Sequence, residues 1–169
     1  MKIIETERRR YARYDTEAKV YFRVTYDIKT RVKFRVIDQG EGKISPAEYS
    51  ALSKNVSAEG LCFTAGKKLN GGDILYIEVY LPGREEPIRM EGEVRWCHPD
   101  RVARKKVGRF NTGVKLMTIN GFSVAKSIYR DTANHIVWSK VLDSIFSNFK
   151  NFVKEQNKPN RSVRKSAKK

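Results

Sequence analysis

Apolar and polar residues alternate one by one along several short segments of this chain, and that alternation limits the folds open to it. Between residues 88 and 96 every second residue is apolar or Gly, and the residues between them are charged. A period of two puts the apolar side chains on one face of a strand and the charged ones on the other. The segment is therefore predicted to be a strand with one buried and one exposed face.

Five further segments are predicted to be strands, with turn-like residues such as the Asn-Gly-Gly-Asp sequence before 74 separating them. They are residues 20–26, 31–36, 60–65, 74–81 and 109–119. The polar stretch 38–48, which contains Gly and Pro, is predicted to be a loop. Six short strands indicate an all-β core, folded as a small antiparallel barrel or sandwich. The length of 169 residues suits one such domain with tails.

The pattern changes near the C-terminus, where residues 123–155 contain neither Pro nor Gly. An apolar stripe steps along this region by four, three, four and three residues, through Trp138, Leu142, Ile145, Phe149 and Phe152. Such spacing is typical of one face of a helix, and a break near 131–134 is consistent with two helices. The stripe either packs against the barrel or pairs with a partner or a second copy of the chain, and it is too short to separate these interpretations.

The chain carries 35 Lys and Arg against 19 Asp and Glu, a net charge of +16, which indicates an anionic partner. The excess is concentrated at the ends, because residues 154–169 contribute +6 and residues 1–13 contribute +3. The last residues have almost no apolar anchor, so 156–169 is predicted to be a disordered basic tail. On charge alone the partner is a nucleotide, a nucleic acid, an acidic lipid or an acidic protein.

Several functional classes find no support in the sequence. No run of 18 apolar residues occurs, so no membrane span is expected. Paired carboxylates, a Ser-His-Asp set and a phosphate-binding Gly loop are not found, so we expect a protein that is not an enzyme. Cys62 and Cys97 lie 35 residues apart and are predicted to be buried thiols in a reducing cytoplasm. His98 and His135 have no second ligand at metal spacing, so no metal site is predicted.

Two short motifs carry groups suited to an anionic ligand. The first is Arg-Arg-Arg-Tyr-Ala-Arg at residues 8–13. Each guanidinium can bind a phosphate, grip the O6 and N7 edge of guanine, or stack on a base. The second is Asn55-x-Ser57-x-x-Gly60, whose amide and hydroxyl project to the same side of an extended chain. Taken singly, an Arg cluster also fits a solvated surface, and Asn-x-Ser also fits a turn before a strand.

Together the motifs Arg9-x-x-x-Arg13 and Asn55-x-Ser57-x-x-Gly60 resemble those of the PilZ family. Later segments also resemble the family in the right order, and the resemblance covers roughly residues 7–119. PilZ members are six-stranded antiparallel β-barrels that bind cyclic di-GMP, a bacterial second messenger. The resemblance implies the same fold and ligand here, no cofactor beyond that ligand, and a downstream effector protein as partner.

The resemblance, which ends near residue 119, and the residue pattern beyond it together divide the chain. Residues 1–15 would form a mobile N-terminal arm that carries the Arg motif, and residues 16–120 would form the barrel. Residues 121–155 would form a C-terminal helical extension, in which 123–155 is the candidate surface for a homodimer. Residues 156–169 would be the tail.

For the first motif, the resemblance implies that Arg9 and Arg13 grip the guanine edges and phosphates of cyclic di-GMP. Arg8 matches an additional arginine that in the family favours an intercalated ligand dimer, with two nucleotides in one site. Arg10 has no counterpart role in the family and is expected to be a solvated side chain.

For the second motif, the resemblance implies that Asn55 and Ser57 bind the base or a phosphate. Gly60 would permit either a close approach of the ligand or an unusual φ. Trp96 is a further candidate that would line the pocket by stacking on the ligand, and the competing interpretation makes it a core residue.

The chain departs from the family pattern between its motifs, where 41 residues separate Arg13 from Asn55. Residues 38–52 are interpreted as an insertion beside or over the ligand site. Two other functions stay open: a PilZ-like adaptor that has lost ligand binding, and a basic small barrel that binds nucleic acid. Nucleic acid is the less favoured partner, because the strands lack the exposed aromatic platforms used to bind single strands.

Overall fold

The computed structural model describes residues 26–102, 108–132 and 136–147. The strands in these ranges are β1 (Tyr26–Asp27), β2 (Arg31–Ile37), β3 (Tyr49–Val56), β4 (Gly60–Ala65), β5 (Ile74–Tyr80), β6 (Ile88–Pro99), β7 (Phe110–Ile119), β8 (Phe122–Ser123), β9 (Tyr129–Asp131) and β10 (Ile136–Trp138). A short helix, α1 (Val124–Ser127), lies between β8 and β9. A second helical segment covers residues 140–147. No helix within the described ranges has the length and apolar character needed to cross a bilayer.

Six of these strands, β2 to β7, form a closed antiparallel barrel. Neighbours in the sheet follow the order β3-β2-β5-β6-β7-β4, and the pairing of β3 with β4 closes the ring. β1 pairs with β3 outside this ring, and β8 pairs with the end of β7. Closure removes the unpaired edges that an open sheet would have. The predicted six-stranded antiparallel barrel with a C-terminal helix is confirmed.

One of the six barrel strands is not among those predicted from the sequence. β3 overlaps the segment 38–52, which we interpreted as an insertion. Two of its inward positions hold Ala51 and Ser53. Because these side chains are small or polar, the sequence of β3 lacks the alternation of large apolar and polar residues that marks strands such as β2 and β6. The predicted strand at 20–26 lies outside the described residues except for Tyr26, which belongs to the two-residue β1.

Inward-facing side chains from all six strands fill the barrel. Its largest fully buried side chains include Phe34, Phe63, Leu75, Ile77, Ile88, Met90 and Ile119. So small a barrel leaves little interior space where β6 meets β7. A Cβ at Gly92 would lie 2.4 Å from Val114 Cγ1 and 2.8 Å from the Lys115 carbonyl oxygen. The two strands therefore approach each other at a distance that glycine alone allows at this position.

The described part of the C-terminal extension packs on the barrel. Val141, Leu142 and Ile145 are at most 1% exposed and belong to the same hydrophobic core as the barrel residues. The ring of Phe146 packs on that of Tyr26 in β1, with centroids 4.5 Å apart. The structure therefore supports packing on the barrel, and not pairing with a partner, for the part of the apolar stripe that it describes.

The region around the expected break at 131–134 differs from the pair of helices that the sequence suggested. β9 and β10 pair antiparallel, so a short hairpin precedes the second helical segment. Lys140 N donates to Ser127 Oγ at 3.1 Å, which ties that segment to α1. The end of the stripe, Phe149 and Phe152, lies outside the described residues.

We predict that Leu142→Ala lowers the free energy of unfolding by about 2–5 kcal/mol, because it removes a buried side chain and leaves a cavity. Urea unfolding followed by circular dichroism measures the change. The matched control is Leu52→Ala. Leu52 is 51% exposed, so its truncation should change the stability by less than about 0.5 kcal/mol. Small, equal effects of the two substitutions would contradict the packing of the helical segment into the core.

Candidate functional site

The Asn-x-Ser-x-x-Gly motif spans the end of β3 and the turn into β4. Asn55 is the next-to-last residue of β3, and Gly60 is the first residue of β4. Ser57 N donates to the Gly60 carbonyl oxygen at 2.8 Å and closes the turn. Leu116 N, on β7, donates to the Glu59 carbonyl oxygen at 2.8 Å and anchors the turn to the neighbouring strand. Because backbone hydrogen bonds hold the turn, the side chains of Asn55 and Ser57 are left for other contacts.

Gly60 serves a close approach of the chain and has no positive φ. A Cβ at this position would lie 3.2 Å from the Val114 carbonyl oxygen and 3.3 Å from Ser57 Oγ. Both distances are tighter than ordinary van der Waals contacts. The unusual φ expected as one role of Gly60 is therefore wrong, and the structure shows instead close packing against β7 and Ser57. The other expected role, a close approach of the ligand, stays a prediction.

Ser57 and Asn55 carry hydrogen-bonding groups that have no partner in the described part of the chain. Ser57 is 9% exposed, and no described residue hydrogen-bonds to its hydroxyl. The side-chain amide of Asn55 is half-buried and equally without a partner among those residues. Leaving a buried polar group unsatisfied costs about 1–3 kcal/mol. The two groups are thus placed to bind something that the described residues do not supply.

A β-bulge in β3 sets the direction of the side chains just before the motif. The pairing with β4 shifts between Ser53 and Asn55, so Lys54 is the extra residue. Ser53 points inward, where its hydroxyl accepts from Thr30 N at 2.9 Å and donates to the Ile28 carbonyl oxygen. The bulge that follows brings Lys54 and Asn55 to the same outer face of the barrel.

Asn55 and Trp96 lie in one row across the outer face of the barrel. The register between them runs through Cys62 on β4 and Gly113 on β7. Paired residues of an antiparallel sheet face the same side. With strands about 4.8 Å apart, the row from β3 to β6 spans roughly 14 Å along the surface.

Trp96 lies on the barrel surface, so the competing core interpretation is wrong. Its side chain is 41% exposed. The alternation along β6 would turn it inward, but the register shifts between Val94 and Trp96, and this bulge moves it to the outer face. Three indole atoms lie over Gly113, where a Cβ would be 2.2–2.5 Å from them. Since Gly113 has no side chain, the indole can lean from β6 across β7 towards the motif.

His98 and Asn111 occupy the next row of the same face and were not predicted as site residues. The ring of His98 stacks on that of Trp96, with centroids 5.5 Å apart and an interplanar angle of 12°. Asn111 is paired with His98 on β6 and with Thr64 on β4. Asn111 Oδ1 accepts from Thr64 Oγ1 at 2.7 Å and from Lys54 Nζ at 3.2 Å. No spacing in the sequence marks these residues, because four strands contribute them and the sheet register alone brings them together.

Two lysines give this outer face a positive charge. Lys54 is exposed, and Lys115 is paired with Gly60 in the register of β7 and β4. In the part of the chain that the structure describes, neither ammonium group forms an ion pair with a carboxylate. Burial raises the pKa of the Cys62 thiol, although the nearby Lys54 acts in the opposite direction. The thiol therefore adds no negative charge to the face at neutral pH.

The three arginines expected to bind the ligand, Arg8, Arg9 and Arg13, lie outside the described residues. β1 follows them in the sequence and pairs Asp27 with Asn55. The chain that comes from the arginine motif therefore enters the described structure directly beside the second motif.

Two grooves adjoin different parts of the barrel. One, of about 550 Å³, lies between β5, β6 and the turn after β7, away from the motif. Its lining includes two arginines and two glutamates, so their opposite charges balance and the groove has no excess of positive charge. The other, of about 490 Å³, is lined in part by His98 and Asn111 on the face described above.

The outer face as a whole combines positive charge, an exposed aromatic pair and hydrogen-bonding groups that no described residue satisfies. Such a set suits an anionic ligand with planar rings, since charge-assisted hydrogen bonds and stacking act together. Among the described residues, no cluster of three or more His, Cys, Asp or Glu side chains is arranged to hold a metal ion.

Comparison with known proteins gives three findings. The family model described as PilZ domain matches residues 7–121. No curated protein matches the chain. The solved "Structure of Bacillus subtilis Inhibitor of motility (MotI/DgrA)" is 16% identical with a TM-score of 0.46, and the match covers 80% of this chain and 52% of that one. The chain thus spans about half the length of that protein, and a similarity at this level supports no inference about function.

We predict that Gly113→Ala displaces the indole of Trp96, because the new methyl group would overlap the ring. The chain has two tryptophans, so in a Trp138→Phe background the fluorescence reports Trp96 alone. Its emission should shift to longer wavelength, with stronger quenching by acrylamide, as water reaches the ring. The matched control is Gly66→Ala, where a Cβ meets nothing closer than 3.9 Å. Unchanged emission in the Gly113 variant would contradict this position of the indole.

Proposed function

The chain belongs to the PilZ domain family, and from this premise we propose that it is a receptor for cyclic di-GMP that passes the signal to another protein. It acts by binding and performs no covalent chemistry. In this proposal the protein acts in the cytoplasm. The cysteines Cys62 and Cys97 are free thiols, which agrees with the reducing conditions of that compartment.

The observation that best supports this function is a pair of groups at the second motif for which the described residues supply no partner. The amide of Asn55 lies at one end of a row that has the exposed indole of Trp96 at the other. The hydroxyl of Ser57 lies next to that end, beside Gly60. Cyclic di-GMP carries two phosphates and two guanines, so it brings acceptors, donors and planar rings to such a face. In this proposal Asn55 and Ser57 bind the base or a phosphate, and Trp96 stacks on a guanine.

The arginine motif supplies the remaining contacts. Arg9 and Arg13 bind guanine edges and phosphates, as their family counterparts do, through charge-assisted hydrogen bonds worth about 1.5–3 kcal/mol each. Ordering the arm opposes this by about 1–2 kcal/mol for each residue fixed. Because the two contributions are similar in size, the net affinity is low- to sub-micromolar, and binding fixes the arm against the barrel.

β1 offers a route from the bound arm to the C-terminal segment. It pairs Asp27 with Asn55, and its Tyr26 ring lies 4.5 Å from Phe146 and 6.4 Å from Trp138, measured between centroids. Ordering the arm would therefore act on a strand that contacts both the motif and the C-terminal helical segment. The partner protein would recognise the surface that this rearrangement creates.

We predict that the full chain binds cyclic di-GMP in isothermal titration calorimetry with low- to sub-micromolar affinity. Arg9→Ala and Arg13→Ala should each abolish binding, and Ser57→Ala should weaken it, because each removes a direct contact. Arg10→Ala is the matched control. It removes an arginine of the same cluster that has no counterpart role in the family, so binding should stay as in the wild type.

The absence of heat and of any melting-temperature shift at about 100 μM ligand would contradict the receptor function. That result would favour the PilZ-like adaptor without ligand binding. The nucleic-acid alternative predicts retention on heparin or DNA that persists after removal of residues 154–169. Retention that is lost with those residues would come from the charge of the tail alone.

We also predict that the fitted ligand-to-protein ratio is near two, because Arg8 matches the arginine that favours an intercalated ligand dimer. Its guanidinium would stack on an exposed guanine face. The same titration measures the ratio. A ratio near one would contradict this role of Arg8 and leave the receptor function intact.

A further inference from the structure

Beyond the two family motifs, Lys54 and Asn111 form a second polar pair on the same face of the barrel. Lys54 Nζ donates to Asn111 Oδ1 at 3.2 Å, and Thr64 Oγ1 donates to the same oxygen at 2.7 Å. An ammonium group only donates, so the amide oxygen of Asn111 faces Lys54 and the amide nitrogen faces away. Among the described residues, no acceptor binds the two N–H groups of Asn111.

These donors lie next to the aromatic pair of Trp96 and His98. Asn111 is paired with His98 in the register of β6 and β7, and the rings of His98 and Trp96 are stacked. A groove of about 490 Å³ beside the pair is lined by His98 and Asn111 and also by Pro99, Asp100, Arg101 and Val102. A purine that enters this groove and stacks on His98 brings one polar edge to Asn111, whose amide oxygen is bonded to Lys54 Nζ.

Lys54 and Asn111 offer this edge hydrogen-bond donors and no free acceptor. The O6 and N7 edge of guanine carries two acceptors, whereas the same edge of adenine carries the acceptor N7 and the donor amino group N6. Donors on the protein can therefore bond to both O6 and N7 of guanine. In adenine they can bond to N7 but face another donor, the amino group N6.

We propose that Lys54 and Asn111 bind the O6 and N7 edge of a guanine in the bound dinucleotide and so select cyclic di-GMP over cyclic di-AMP. The inference rests on the proposed function, because it requires a cyclic dinucleotide on this face. The selectivity is built into the barrel itself, since the bulge in β3 directs Lys54 outward and the register of β4 and β7 places Asn111 beside it.

The sharpest test exchanges the donor of Asn111 for an acceptor. Asn111→Asp keeps an oxygen for Lys54 and Thr64 but replaces the N–H groups by a carboxylate oxygen, which repels O6 and N7 and accepts from the amino group of adenine. Calorimetry with cyclic di-GMP and with cyclic di-AMP gives the ratio of the two dissociation constants. We expect the preference for guanine to fall by about 5- to 150-fold.

Asn120→Asp is the matched control for that variant. It makes the same change of charge at the far end of β7, where Asn120 Oδ1 accepts from Arg89 N at 3.1 Å and continues to do so as a carboxylate. The added negative charge weakens both ligands alike, so the ratio of dissociation constants should stay at the wild-type value. Equal melting temperatures of the unliganded variants verify that both are folded.

A second variant, Lys54→Met, removes the ammonium group and keeps most of the apolar stem. The preference for guanine should fall several-fold, and the exposed Lys126→Met on α1 should leave it unchanged. If Lys54→Met weakens the binding of both ligands equally, Lys54 contacts a phosphate, which both ligands share. The proposal that Lys54 binds the guanine edge is then overturned.

The two proposals fail in different ways. If the wild type binds neither dinucleotide, the receptor function itself is wrong, and the inference falls with it. If the wild type binds cyclic di-GMP and the preference for guanine is unchanged in both Asn111→Asp and Lys54→Met, the receptor function stands and the guanine selectivity of this pair is wrong.

Discussion

The buried hydroxyl of Ser53 holds β3 in place, and both the closure of the barrel and the outer face that carries Asn55 depend on that strand. The hydroxyl accepts from Thr30 N at 2.9 Å and donates to the Ile28 carbonyl oxygen, while Ser53 N donates to the Thr30 carbonyl oxygen at 2.9 Å. β3 pairs with β2 and with β4 and so joins the two ends of the sheet. The bulge at Lys54 and the motif residue Asn55 follow directly, so one anchored strand closes the fold and positions both residues on the outer face.

Close approaches at glycine connect the packing of this small barrel to the arrangement of its outer face. At Gly92 the space that a side chain would need is filled from inside by Val114 and the backbone of β7. At Gly113 it is filled from outside by the indole of Trp96. The same pair of strands therefore packs tightly within the core and carries an exposed aromatic ring on its surface, close to the groups of the second motif.

Most of the barrel could be predicted because β2 and β6 alternate strongly between apolar and polar residues, and because β5 is a short, nearly continuous apolar run that follows turn residues. β3 could not, since Ala51 and Ser53 occupy inward positions without an apolar signal. Of the candidate site, Asn55, Ser57 and Gly60 were recognisable from their spacing within six residues. Their neighbours on the face were not, because the residues around Asn111 come from four strands and share no local pattern.

By itself the sequence determined the class of fold and the family motif, because both are encoded locally, in alternation along single strands and in short fixed spacings. The tertiary structure alone decided which side chains share the outer face around the second motif. Each β-bulge shifts the alternation by one residue, which turns Trp96 outward and brings Lys54 to the side of Asn55. The register between strands then sets Asn111 beside Lys54, and register is a property of paired chains that no single segment contains.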